Sequence, residues 1–83
     1  MSKILDKISK IEKIIFEEKD LEKLGSKIVG LCVIEDDYEE LVDENHLYGD
    51  FCELGASLEV EPREDTYEEL LETFEKLKNS LLK

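Results

Sequence analysis

Along the first third of the chain the apolar residues Ile4, Ile8, Ile11 and Ile15 recur at alternating steps of four and three, with Leu5, Ile14, Leu21 and Leu24 beside them. This period places them on one face of a helix, predicted over residues 2–24. Ser2 suits its amino cap and Gly25 the left-handed residue that commonly ends a helix, while Asp20 marks a candidate break. At the other end Tyr67, Leu70, Phe74, Leu77 and Leu81 repeat in threes and fours, with Leu71 alongside, and predict a second amphipathic helix starting near Asp65 or Thr66. Its acidic first turns and Lys76, Lys78 and Lys83 near its end match the helix dipole.

The pattern changes between these helices. Lys27 to Glu35 is short, rich in β-branched residues and apolar on both alternating faces, with Val29, Leu31 and Val33 on one and Ile28, Cys32 and Ile34 on the other. It predicts a covered, central strand. Ser57 to Glu61 alternates Leu58 and Val60 with Glu59 and Glu61, as a half-exposed edge strand does. Between them, Asp37 and Glu40 form a capping-box pattern ahead of Leu41, Val42 and Leu47, which favours a short helix within residues 36–49. The rival is a meander with strands at 38–42 and 46–51 around a turn at Asp43, Glu44 and Asn45. The expected architecture is therefore one α+β domain over residues 1–83. It has a long N-terminal helix, a sheet of two to three strands, an acidic connection with a short helix, and a C-terminal amphipathic helix.

Charge adds what periodicity does not. The chain of 83 residues carries Lys+Arg 11 against Asp+Glu 23, a net charge of −12. Residues 35–72 hold sixteen carboxylates against the single cation Arg63, whereas both flanking parts are nearly balanced. Affinity for nucleic acid or anionic membrane comes from Lys and Arg displacing counterions, so neither is an expected direct partner. No apolar run reaches the roughly 18 residues of a membrane span and no signal core is evident, so a cytoplasmic location is expected. Cys32 and Cys52 are read as reduced, buried, small apolar residues.

Enzymatic and metal chemistry find little support in the residues. His46 is the only histidine, and no serine has a nucleophile-elbow context. Cys32, His46 and Cys52 lack the close cysteine pair of a zinc site, even with Asp50 as a fourth ligand. A calcium loop starting at Asp43 would put Tyr48 at its glycine position and Leu54 at its closing glutamate. Leu54-Gly55-Ala56-Ser57-Leu58 resembles the segment that carries the prosthetic group in acyl carrier proteins. Ala56 replaces the aspartate that precedes the modified serine there, however, and a strand is predicted where that family continues as helix. No catalytic residue, cofactor or metal is expected.

Confining fifteen net negative charges to under half of a domain costs stability through self-repulsion, unless the charge has a use. A solvated face that aids solubility is the bland use. The sharper expectation is a non-enzymatic binding protein that occupies the Lys/Arg-lined site of a basic, nucleic-acid-binding partner such as a nuclease, toxin or phage-targeted defence effector. It would act partly as a phosphate-backbone mimic, as immunity proteins, antitoxins and phage-encoded inhibitors do as a type. The candidate partner-binding residues are Glu35, Asp36, Asp37, Tyr38, Glu39, Glu40, Asp43, Glu44, Asp50, Glu59, Glu61, Glu64, Glu68 and Glu72, while Tyr48 and Phe51 are either further aromatic anchors or ordinary core residues. The alternative is a homo-oligomeric adaptor or small chaperone, in its simplest form a homodimer, joined along the two helical seams with a Lys3/Lys7/Lys10 stripe facing acids of the last helix.

Overall fold

The computed structural model describes residues 3–81, and every element in them is helical. In chain order these are α1 (Lys3–Glu17), α2 (Leu21–Ile28), a π-helical stretch (Val29–Val33) continuing directly from α2, α3 (Tyr38–Glu44), α4 (His46–Val60) and α5 (Glu64–Leu81). The α+β expectation is thus corrected to an all-helical globule, with no strand among the described residues. The short helix favoured within residues 36–49 is present as α3, and the rival meander is not.

The long N-terminal helix is two helices. The anticipated break at Asp20 is a cap: its Oδ1 accepts from the Lys23 backbone N–H at 3.1 Å and so starts α2. Gly25, expected to end the first helix, lies inside α2 with no positive φ. The proposed cap at Ser2 lies outside the described residues.

Both predicted strands are helical for one reason. A helix covered on most sides reads as a nearly continuous apolar run, which alternation alone cannot tell from a buried strand. Leu24, Ile28 and Cys32 are fully buried at spacings of four, while Ile34, placed by a strand pairing on the same face as Cys32, is 74% exposed. Likewise Leu58 is fully buried and Val60 is 84% exposed, although a strand would turn both the same way.

The helix α4 is the hub, packing against α2, the π-helical stretch, α3 and α5. Its Tyr48, Phe51, Cys52 and Leu58 are fully buried and meet Ile4 and Ile11 of α1, Leu24 and Ile28 of α2, Leu41 of α3, and Leu70 and Leu77 of α5 in one core. Phe51 and Phe74 pack with ring centroids 5.4 Å apart. Asn45 starts α4 by accepting from the Leu47 N–H at 3.0 Å and, through its Nδ2, donates to Ser80 Oγ at 2.7 Å, tying this turn to the end of α5. The stripe on α5 forms as its spacing predicts, with Leu70, Phe74 and Leu77 buried and Tyr67, Leu71 and Leu81 partly so.

Candidate acidic interface

Helix α5 turns its apolar stripe inward, so the intervening positions Glu64, Glu68 and Glu72 stand exposed on its outer side at the i, i+4 spacing of about 5–6 Å. The helix α4 is buried around most of its circumference and leaves a narrow strip bearing His46, Asp50, Glu53, Ser57 and Val60 open. Where this strip meets α5, a groove of about 320 Å³ is lined by Asp50, Glu53, Leu54, Ser57, Glu69 and Thr73. Ser57 also lines an adjoining notch of about 490 Å³, formed with Ala56, Val60, Glu61, Arg63 and Thr66 at the corner between the two helices. The groove is therefore walled by carboxylates, and the notch beside it sets Ala56 and Val60 next to the Glu61–Arg63 ion pair.

Of the sixteen carboxylates in residues 35–72, fourteen are exposed and two, Asp37 and Glu59, are half-buried. The chain's own cations reach four: Lys7 approaches Asp37 at 3.4 Å, Lys3 pairs with Glu40 at 3.2 Å, and Arg63 lies 3.7 Å from Glu61 and 3.0 Å from Asp65. The other twelve have no cation partner among the described residues, which leaves their field unneutralised outside the protein surface. The lysine stripe of α1 thus meets acids of α3 and the loop before it, and the tie from α1 to the last helix runs the other way, from Lys78 to Glu12 at 2.6 Å.

The predicted residues separate into groups. Glu35 and Asp36 stand exposed in the loop after the π-helical stretch, and Glu39, Glu40, Asp43 and Glu44 are exposed around α3. Asp37 occupies the amino-cap position of α3 without capping it, since its carboxylate turns to Lys7 instead. Tyr38 is half-buried with its ring 6.3 Å from that of Tyr48. Tyr48 and Phe51 are core residues, fully enclosed, so neither is a surface anchor. Glu59 and Glu61, assigned to one strand face, sit at and just beyond the end of α4. Of the candidates only Asp50 lines the groove. Glu53 and Glu69, which share it, were missed because their convergence requires α4 to be a helix beside α5. The i, i+3 spacing of Asp50 and Glu53 was the available signal.

Among the described residues, no three His, Cys, Asp or Glu side chains converge as a metal site requires. Ser57 lies in the last turns of α4, not ahead of a helix, which keeps the acyl-carrier likeness at five residues even though the chain is all-helical. No protein-family model, curated protein or solved structure matches this chain. Among the described residues no helix is long and apolar enough to cross a membrane.

Proposed function

We propose that this protein is an acidic binding module that inhibits a basic, nucleic-acid-binding partner by laying its α4–α5 groove over the partner's Lys/Arg-lined site. The observation that carries this reading is that twelve carboxylates of residues 35–72 have no cation partner among the described residues, and three of them, Asp50, Glu53 and Glu69, come from two helices to wall one groove. A basic segment with one apolar side chain suits this shape. Its cations would face the acidic wall and its apolar residue the notch beside Val60. The outer stripe of α5 continues the negative field, which steers a cationic partner toward encounter.

The competing reading, assembly through the helical seams, has less support. Ile4, Ile8 and Ile11 of α1 and Leu70, Phe74 and Leu77 of α5 already belong to the chain's own core and are not free for a second copy. What favours assembly at all is the exposure of Phe16 (79%) at the end of α1 and of Ile34.

The test is capture from an extract of the native host at low salt, followed by reconstitution with the purified partner. The expected partner is basic, binds nucleic acid, and is displaced from this protein by added duplex or single strand. A partner that binds equally well with its nucleic-acid site occupied would overturn the proposal.

A further inference from the structure

Arg63 is the only arginine of the chain and the only cation in residues 35–72, and it stands at the corner between the end of α4 and the start of α5. Its guanidinium is forked, with Nη2 donating to Asp65 Oδ2 at 3.0 Å and Nη1 lying 3.7 Å from Glu61 Oε1. The same side chain lines the notch of about 490 Å³, beside Ala56, Ser57, Val60 and Thr66. The acidic segment's one cation thus sits where its surface opens next to an exposed apolar residue, Val60.

The fork does not shape this corner. The Glu61 N–H donates to the Ser57 carbonyl at 2.8 Å, and the Arg63 carbonyl accepts from the Tyr67 N–H at 3.1 Å, so the backbone closes both helices without the guanidinium. Pro62 restricts the chain between them, and Asp65 Oδ1 is held by the Thr66 N–H at 2.9 Å. The Glu61, Arg63 and Asp65 side chains are each more than half exposed, and ion pairs of that kind hold little. What Arg63 does is electrostatic: it occupies two carboxylates beside the groove and sets a positive charge where a cationic segment would arrive.

We propose that Arg63 is an internal stand-in for an arginine of the partner, which displaces it from Glu61 and Asp65 when the partner's segment docks. The inference rests on the α4–α5 groove being the binding surface. As the segment's apolar residue covers Ala56 and Val60, its neighbouring arginine takes over the two carboxylates, and the Arg63 side chain swings into solvent while its backbone stays in α5. Asp65, fixed by the Thr66 N–H, keeps its second oxygen ready for the incoming donor. A guanidinium reproduces both contacts at once and an ammonium does not, so the exchange selects arginine over lysine at this position. Until then Arg63 competes with weakly matched cations and restrains binding.

The experiment titrates the nitrogen-15-labelled full chain at low salt with an unlabelled lysine peptide carrying one central leucine–arginine pair, and with its leucine–lysine counterpart. Arg63 gives the chain's single arginine Nε–H signal. On adding the arginine peptide that signal should move toward its position in a chain carrying Glu61→Gln and Asp65→Asn, while the Ser57 and Val60 amides shift. The arginine peptide should bind at least about threefold more tightly than the lysine peptide. Arg63→Gln should tighten binding of either peptide at least about threefold, and Lys76→Gln, which removes the same charge about 15 Å along α5 from Thr66, less than about twofold. An unmoved Arg63 signal while the groove amides shift, equal affinity for the two peptides, or an Arg63→Gln chain that gains no more than Lys76→Gln would overturn the exchange and leave the groove standing. Absence of binding, or shifts confined to other faces, would overturn both.

Discussion

Gly25 of α2 and Gly55 of α4 face each other where the two helices cross, so closely that a Cβ on Gly25 would stand 2.7 Å from the Gly55 carbonyl oxygen and 2.4 Å from the Glu59 backbone nitrogen. Neither atom can yield without moving α4, so the crossing depends on the missing side chain. Gly25→Ala is expected to destabilise by about 3 kcal/mol or more, the upper range for overpacking. Gly30 is a contrast, because a Cβ there meets nothing within 4 Å. Gly30→Ala should stabilise by about 0.4–1 kcal/mol through the unfolded chain's lost freedom. Urea denaturation of both variants checks the opposite signs, and equal effects would show that the crossing is not close-packed.

Lys7 joins α1 to the π-helical stretch through the Leu31 carbonyl and to α3 through Asp37. Lys7→Met keeps the aliphatic stem but leaves a buried acceptor and a carboxylate unmatched, at an expected cost of about 1–3 kcal/mol. Adding Asp37→Asn should recover part of that loss. A double-mutant cycle by urea denaturation measures the coupling, and simple additivity would mean that the pair does not interact.

Phe74 is 5% exposed and packs on Phe51. Phe74→Ala should cost about 3–5 kcal/mol by opening a cavity against α4, and Phe74→Leu less than about 1.5 kcal/mol. A loss under about 1 kcal/mol for the alanine variant, measured by thermal and chemical unfolding, would place α5 outside the cooperative core.

Glu18 should titrate below the ordinary glutamate value, chiefly because Lys27 pairs with its carboxylate at 3.0 Å and secondarily because the Asp20 N–H donates to it. A carboxyl lowered in the folded state favours folding above its unfolded value, and that contribution is lost as pH falls through the folded value. In Lys27→Met the Glu18 midpoint, followed by NMR of the side-chain carboxyl, should move upward toward the ordinary range. An unmoved midpoint would show that the ion pair does not set it.

How far the sequence disclosed this fold depends on its glycines. The α1 and α5 stripes were readable because each helix has a wet face, and Asp20 was recognisable as a breaker. Within α2 and the stretch after it, Leu21, Leu24, Ile28 and Cys32 form a helical stripe, but Gly25 looks like a terminator unless the neighbouring backbone is known to come within contact. Treating Gly25 as a stop left Lys27–Glu35 as a strand-sized piece with β-branched content, and the alternation of Leu58 and Val60 with Glu59 and Glu61 made the end of α4 read as another strand. The exposed acids were visible in the charge count. Their gathering into a groove was not, since Glu69 meets Asp50 and Glu53 only across two helices that the α+β reading had separated.

The most direct measurement is the salt dependence of affinity for the purified partner, taken for the natural chain and for a variant carrying Asp50→Lys, Glu53→Lys and Glu69→Lys. The natural chain should bind tightly at low ionic strength and weaken steeply as salt is added, because exposed charges are screened within about 10 Å at 0.1 M. The reversed groove should lose at least about a hundredfold in affinity while unfolding at the same temperature as the natural chain. Affinity that is flat with salt and untouched by the three reversals would contradict the acidic groove as the binding surface.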